Sequence, residues 1–284
     1  MTDYHVHPDF SQDAAGSMVE YCGRARQIGL DELCFTTHCE PDPMRTEYEY
    51  VRVAGMHRSV DSDWCDSYFR EIERCRRDFP DLIVLAGVEV GYELGLEGVI
   101  HDFLARYPFD FVLGAVHCLD HVAITSGAEL DRFKTEYHHH GAEYVAGRYF
   151  EYIRAAAGSG LFDCLAHLDV YRKYIQPLFD ERFARTVESQ LGPTLRFVAE
   201  SGTGLEVNSA ALRRGMAEPY PAERIVRMAR QAGVEVFTVG SDAHAVKDLG
   251  VGLDRVEALL GRAGIRPARF RDRKRVDRPQ PKSY

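Results

Sequence analysis

Near its start the chain reads Tyr4-His5-Val6-His7, two histidines two residues apart. On a strand, both imidazoles project from one face while Val6 points the other way. Such a pair suits a divalent metal, although a lone His-x-His also arises by chance. The same residue types then close a series of apolar runs. Leu33-Cys34-Phe35-Thr36-Thr37 ends in His38, and the run from Ile83 to Val88 leads to Glu89. The runs from Phe111 to Val116 and from Phe162 to Ala166 end in His117 and His167, and Val236 to Ser241 is followed by Asp242-Ala243-His244. Asp13, in the loop after the first run, is a ninth candidate, with a helix cap as its structural alternative. A satisfied core histidine or a cap explains one such residue. It does not explain six runs ending alike, because converging buried imidazoles and carboxylates lack partners unless cations sit among them. Imidazole nitrogen and carboxylate oxygen are ligands for Zn, Mn and Fe, with no thiolate needed.

Those side chains meet only if their runs are neighbouring strands pointing the same way. Strand-like runs fall at 4–7, 33–37, 82–90, 109–116, 162–166, 204–207 and 234–239. Helical spacing lies between them: Ser17 can cap a helix with Met18, Cys22, Ala25 and Ile28 on one side, and 144–157, 183–199 and 222–232 show similar patterns. Seven alternating β and α units predict a parallel sheet closed into a barrel as one domain over 1–284, with a doubly wound open sheet as the alternative from periodicity alone. The irregular 41–63 stretch follows a strand end, where a barrel enzyme keeps its substrate loops. The internal His138-His139-His140 run reads as a solvated patch.

Composition narrows the class. With 284 residues, 45% of them hydrophobic, the chain can bury a sizeable core. A formal net charge of −9 argues against long nucleic acid as a partner. The basic stretch 266–282 reads as a last strand with a solvated tail. Seven cysteines without a CxxC pair argue against a disulfide framework, and Cys39 and Cys118, each following a histidine, read as core residues. Neither a signal peptide nor an apolar run of membrane-spanning length is visible, so a cytoplasmic protein with no membrane partner is expected. No pattern specifies an oligomeric state.

Taken in order, His5-x-His7, Thr37-His38, Gly87-Val88-Glu89, Val116-His117, Ala166-His167-x-Asp169 and Gly240-Ser241-Asp242-Ala243-His244 resemble the PHP (polymerase and histidinol phosphatase) family. The stretches 161–169 and 205–213, the latter followed by Pro219-Tyr220-Pro221, resemble its histidinol-phosphatase branch. The resemblance implies a distorted (β/α)7 TIM-like barrel with three divalent metal ions, Zn, Fe or Mn, at the C-terminal strand ends. It implies that His5, His7, Glu89 and Asp242 hold one metal, Asp13, His38 and His167 a second, and a bridging Glu89 with His117 and His244 a third. The branch usually carries Glu-Val-Asp where this chain has Glu89-Val90-Gly91, a carboxylate fewer beside the site.

The reaction expected is hydrolysis of a small phosphorylated metabolite, histidinol phosphate above all. A metal-bridging hydroxide would attack phosphorus in line with the leaving alkoxide, with Glu89, Asp242 and His244 as the catalytic set and Asp242 or His244 moving a proton. Arg172, Lys173 and Arg213 follow strand ends closely and are the candidate phosphate cations. Glu40, Asp42, Tyr48 and Tyr171 are plausible partners for an imidazole and an ammonium. Other readings are a PHP-type exonuclease or cyclic phosphodiesterase, an amidohydrolase-type hydrolase (disfavoured, since no lysine ends a strand), an iron-dependent oxidase, and a non-catalytic metal-binding domain.

Overall fold

The computed structural model describes residues 1–137 and 139–276. Seven strands form one all-parallel sheet in strict chain order: Thr2–Val6, Glu32–Cys39, Ile83–Gly91, Phe111–Ala115, Cys164–Leu165, Gly204–Asn208 and Phe237–Gly240. The seventh strand returns to the first. The His7 N–H donates to the Ala243 carbonyl at 2.9 Å and the Asp242 N–H to the His5 carbonyl at 2.7 Å, nearly closing a barrel. An open doubly wound sheet is therefore excluded.

The strands bury both faces, which is why they read as apolar runs rather than alternations. A large core lies between the sheet and the surrounding helices. A smaller one, including Tyr4, Leu85, Phe111, Leu113 and Phe270, fills the barrel axis below the strand ends. The helix Met18–Gln27 starts where the sequence places it: Ser17 and Glu20 make a reciprocal capping box. The helices Ala142–Gly158, Glu181–Ser201 and Glu223–Ala232 overlap the predicted spans. Three more, Trp64–Asp78, Glu97–Ala105 and Leu253–Arg262, complete units whose helices the spacing did not single out.

The basic C-terminal stretch needs a partial correction. Its predicted last strand is a hairpin, Arg269–Arg271 paired antiparallel with Lys274–Val276, that seals the bottom of the barrel. Phe270 packs edge-on to Tyr4 and at 5.1 Å from Phe111. Three of the hairpin's guanidiniums are paired: the buried Arg269 and the partly exposed Arg271 with the buried Glu32 at 3.1 and 3.0 Å, and the partly exposed Arg273 with Asp163 at 3.3 Å. The remainder of that stretch, 277–282, lies outside the described residues, as does His138. His139 and His140 are exposed, and His140 stacks on Tyr144. All seven cysteines are free and buried.

The irregular stretch after the second strand holds a 3-10 turn, Pro43–Arg45, and a small hairpin, Val51–Val53 with Met56–Arg58. It is tied to the loop carrying Asp13: the Arg52 N–H donates to the Phe10 carbonyl, and its guanidinium binds the Ser11 and Ala14 carbonyls.

Candidate metal centre

The parallel register sets the ligand positions. His38 and Glu89 are register partners on adjacent strands, so their side chains arrive side by side, His38 Nδ1 2.9 Å from Glu89 Oε2. Register between the first two strands slips between Asp3 and Val6, a local irregularity of the kind that re-aims side chains. His5 is then fully buried, with Nε2 3.3 Å from Glu89 and 3.7 Å from Asp242. His7 Nε2 reaches the same two carboxylates at 3.5 and 3.4 Å. On the other side of Glu89, His117 Nε2 and His167 Nε2 lie 3.4 and 3.1 Å from Oε1. Asp13 stands at the mouth, 3.3 Å from His244 and 3.7 Å from His38. All nine predicted side chains meet in one cluster.

Outer partners fix which nitrogen of three of the imidazoles faces inward. His5 Nδ1 binds Glu206 at 2.7 Å, His7 Nδ1 binds Ser11 Oγ at 3.1 Å, and His117 Nδ1 binds Glu40 at 2.6 Å. With those atoms occupied, the Nε2 atoms are left for the cluster. His5 Nε2, His7 Nε2, His38 Nδ1 and Glu89 Oε2 are buried and have no hydrogen-bond partner. Such orphaned atoms are costly unless something else binds them. Nitrogen and carboxylate oxygen converging in this way fit divalent cations.

The proximities group the ligands differently from the resemblance. Glu89, His117 and His167 form one triad, His7, His38 and His244 another, and His5, His7 and Glu89 a third. His167 therefore sits with Glu89 and His117 rather than with Asp13 and His38, and His244 takes its place beside those two.

Electrostatics point to the same competition for these atoms. Burial alone would raise the Glu89 carboxyl, but His5, His117 and His38 hold it well below the usual range. Asp242 is likewise held down against its burial by His5 and His7. Burial would depress His5, yet Glu206, Glu89 and Asp242 raise it; His7, buried beside His38 and His244, is pushed down. A cation bound among these buried groups would compete with protons for the same atoms. Two residues of the cluster stand on left-handed backbone, His167 at φ 26° and Asp242 at φ 54°.

The three candidate phosphate cations have different surroundings. Arg172 is held by Asp169 at 2.7 Å and the Pro219 carbonyl at 2.8 Å. Arg213 grips the carbonyls of Ser241 and Asp242, bracing the seventh strand end. Lys173 donates to the Thr125 carbonyl at 2.7 Å, and its charge interacts with Asp242 and Asp13. Burial and the nearby Arg214 push its ammonium down to about 8. Among the polar candidates, Tyr171 is buried against Tyr149 and Phe183, Asp42 binds His121 at 2.7 Å, and Tyr48 is exposed between Arg45 and Arg132.

Sequence reasoning missed Glu206, Ser11 and Asn208. Glu206 and Asn208 carry the same i, i+2 signal as His5 and His7, a polar pair on one face of a strand whose Leu205 and Val207 are apolar.

Fold and site are those of a metal-dependent phosphatase. The chain belongs to the PHP domain family, whose model matches residues 3–210. Its relatives narrow the branch. It is 30% identical to a probable histidinol-phosphatase of Deinococcus radiodurans, over 96% of this chain and 98% of that one. To a histidinol-phosphatase of Lactococcus lactis it is 28% identical, over 93% of this chain and 91% of that one. A solved Lactococcus lactis histidinol phosphate phosphatase, complexed with zinc, L-histidinol and phosphate, shares the fold at a TM-score of 0.78, with 23% identity over 97% of this chain and 98% of that one. Among the described residues no helix is long and apolar enough to cross a membrane.

Proposed function

We propose that this chain hydrolyses L-histidinol phosphate to L-histidinol and phosphate, as a single cytoplasmic catalytic unit holding three divalent cations, Zn, Fe or Mn. The observation that carries this reading is the convergence of buried, unpartnered nitrogen and oxygen atoms from His5, His7, His38 and Glu89 at one end of the barrel. The names of the Deinococcus and Lactococcus relatives supply the substrate.

In this reading His5, His7, Glu89 and Asp242 hold one cation, Glu89, His117 and His167 a second, and Asp13, His38 and His244 a third. When bound, the cations acidify water and neutralise phosphoryl oxygens. The chain's own groups do the rest. Glu206, Ser11 and Glu40 orient three imidazoles. Lys173, whose charge interacts with Asp13 and Asp242, is the cation assigned to the phosphate. Arg213 acts indirectly, fixing the backbone that displays Asp242, and Arg172 braces the loop after His167. With Asp242 held well below the usual carboxylate range and both Asp242 and His244 committed to cations, the leaving alkoxide takes its proton from water at the mouth, where His244 is 30% exposed.

The test is phosphate release from histidinol phosphate, other phosphomonoesters and single-stranded DNA, with metal analysis of the same sample. Preference for histidinol phosphate, lost on metal removal and in His5→Ala, is expected. Equal turnover without metal, or cleavage of DNA in preference to monoesters, would overturn the assignment.

A further inference from the structure

Two glycines flank the cluster, and each opens a place for a carboxylate from another strand. A Cβ on Gly240 would overlap Glu206 Oε1 and His5 Cβ; a Cβ on Gly91 would lie 2.5 Å from Glu40 Cδ and overlap Oε2. Both carboxylates enter the gap to reach a histidine Nδ1, Glu206 that of His5 and Glu40 that of His117 at 2.6 Å. Glu40 follows the second strand, whose Cys39 and Val90 are register partners, so its side chain crosses the neighbouring strand at the residue that has none. The Glu40 side chain is only 13% exposed, and its other ring neighbour, His38, stands at 3.9 Å.

We infer that Glu40 is the positioning residue of His117: its carboxylate occupies the space opened by Gly91, holds the Nδ1 proton, and thereby presents Nε2 to the Glu89 side of the cluster. The inference rests on the reading of His117 as a metal ligand and deepens it. A His ligand whose outer nitrogen loses its acceptor can rotate, or move its proton to the inner nitrogen and cease to bind.

The geometry supplies its own rescue. Glu40 Oε1 lies 2.9 Å from the position of a Cβ on residue 91, and an aspartate oxygen, ~2.4 Å from its own Cβ, stops only ~0.5 Å short of it, leaving His117 Nδ1 within hydrogen-bond reach. Asp at 91 can therefore serve His117, but only if Glu40 is out of the way.

The experiment compares the parent, Glu40→Ala, Gly91→Asp and the double variant, measuring zinc affinity by chelator competition, zinc content, and phosphate release. Glu40→Ala should lose about 10- to 100-fold in affinity at one ion per chain. Gly91→Asp should also lose, by collision with Glu40, and the double variant should return to within about threefold of the parent. Wild-type affinity in Glu40→Ala, or a double variant no better than the worse single, overturns the inference. If Gly91→Asp does not fold, Glu40→Ala and Glu40→Gln decide alone, Gln retaining most of the affinity by accepting through its amide oxygen. Failure of the phosphatase reading is separately visible, as a parent protein that binds zinc and releases no phosphate.

Discussion

Replacing Glu206 by Gln changes one atom and should disable a ligand that Glu206 touches only from behind. Its two oxygens accept from three donors: His5 Nδ1 at 2.7 Å, the His167 N–H at 3.0 Å and Asn208 Nδ2 at 3.1 Å. Asn208 cannot turn over without loss, since its Oδ1 already accepts from the Ala210 N–H at 2.8 Å. A glutamine offers one acceptor. With its oxygen toward His5, its NH2 confronts two N–H donors. Turned round, it forces His5 to accept at Nδ1 and carry its proton on Nε2, the atom that faces Glu89 and Asp242. Hydrogen bonds to a charged group are worth about 1.5–3 kcal/mol each. A net loss of ~2–3 kcal/mol corresponds to ~30- to 150-fold weaker binding of the cation served by His5. Competition with a chromogenic chelator measures the affinity, and phosphate release at saturating metal shows whether turnover recovers. An affinity within about threefold of the parent would refute the reasoning, because the inward-facing nitrogen would then not depend on its outer partner.

Stripping the cations should lower the melting temperature. One ion at 100 times its dissociation constant contributes ~2.7 kcal/mol, and unfolding 284 residues carries an entropy of ~0.6 kcal/mol/K, so each ion lost should cost ~4–5 °C; an unchanged melt after verified removal would contradict a folded-state metal site. Lys173→Met should raise KM about tenfold while changing kcat less. Because the folded ammonium is pushed down to about 8, it loses its proton as pH rises through that value, so KM of the parent should climb above pH ~8 and the climb should vanish in the variant. A KM that stays flat in the parent would remove Lys173 from the phosphate site. Glu32→Gln should leave Arg271 without its ion-pair partner and Arg269 with only Asp31 at 4.0 Å, destabilising the barrel bottom by ~3 kcal/mol, while cation content at low temperature stays at the parent level. A melt shifted by less than ~2 °C would show the hairpin does not depend on that pair.

The sequence announced this site because its clustered residues sit at the ends of apolar runs, where a histidine or glutamate has no other business. His38, His117 and His167 each interrupt a run that burial on both faces makes almost wholly apolar. Backbone alternation also made His5 and His7 a pair. The groups behind the ligands were harder to see, since their meaning is relational. Glu40 becomes a partner of His117 only through the gap at Gly91, a residue two strand positions beyond Glu89, which its carboxylate enters from the neighbouring strand. Arg172 and Arg213 sit where a phosphate contact was expected, yet backbone carbonyls, which leave no mark in composition, claim both. The ion pairs of the C-terminal hairpin were hidden for a similar reason: its counter-charges, Glu32 and Asp163, lie more than a hundred residues upstream.

The left-handed backbone at Asp242 constrains how that residue can be probed. At φ 54° aspartate and asparagine are tolerated, while a residue with an ordinary Cβ and no local polar group meets a penalty of ~1–2 kcal/mol. Alanine there would perturb the chain path as well as delete a carboxylate, and would disturb the carbonyls that Arg213 grips. Asparagine alters the charge alone. An inactive Asp242→Ala protein would therefore report on main-chain geometry and chemistry together, whereas Asp242→Asn separates them.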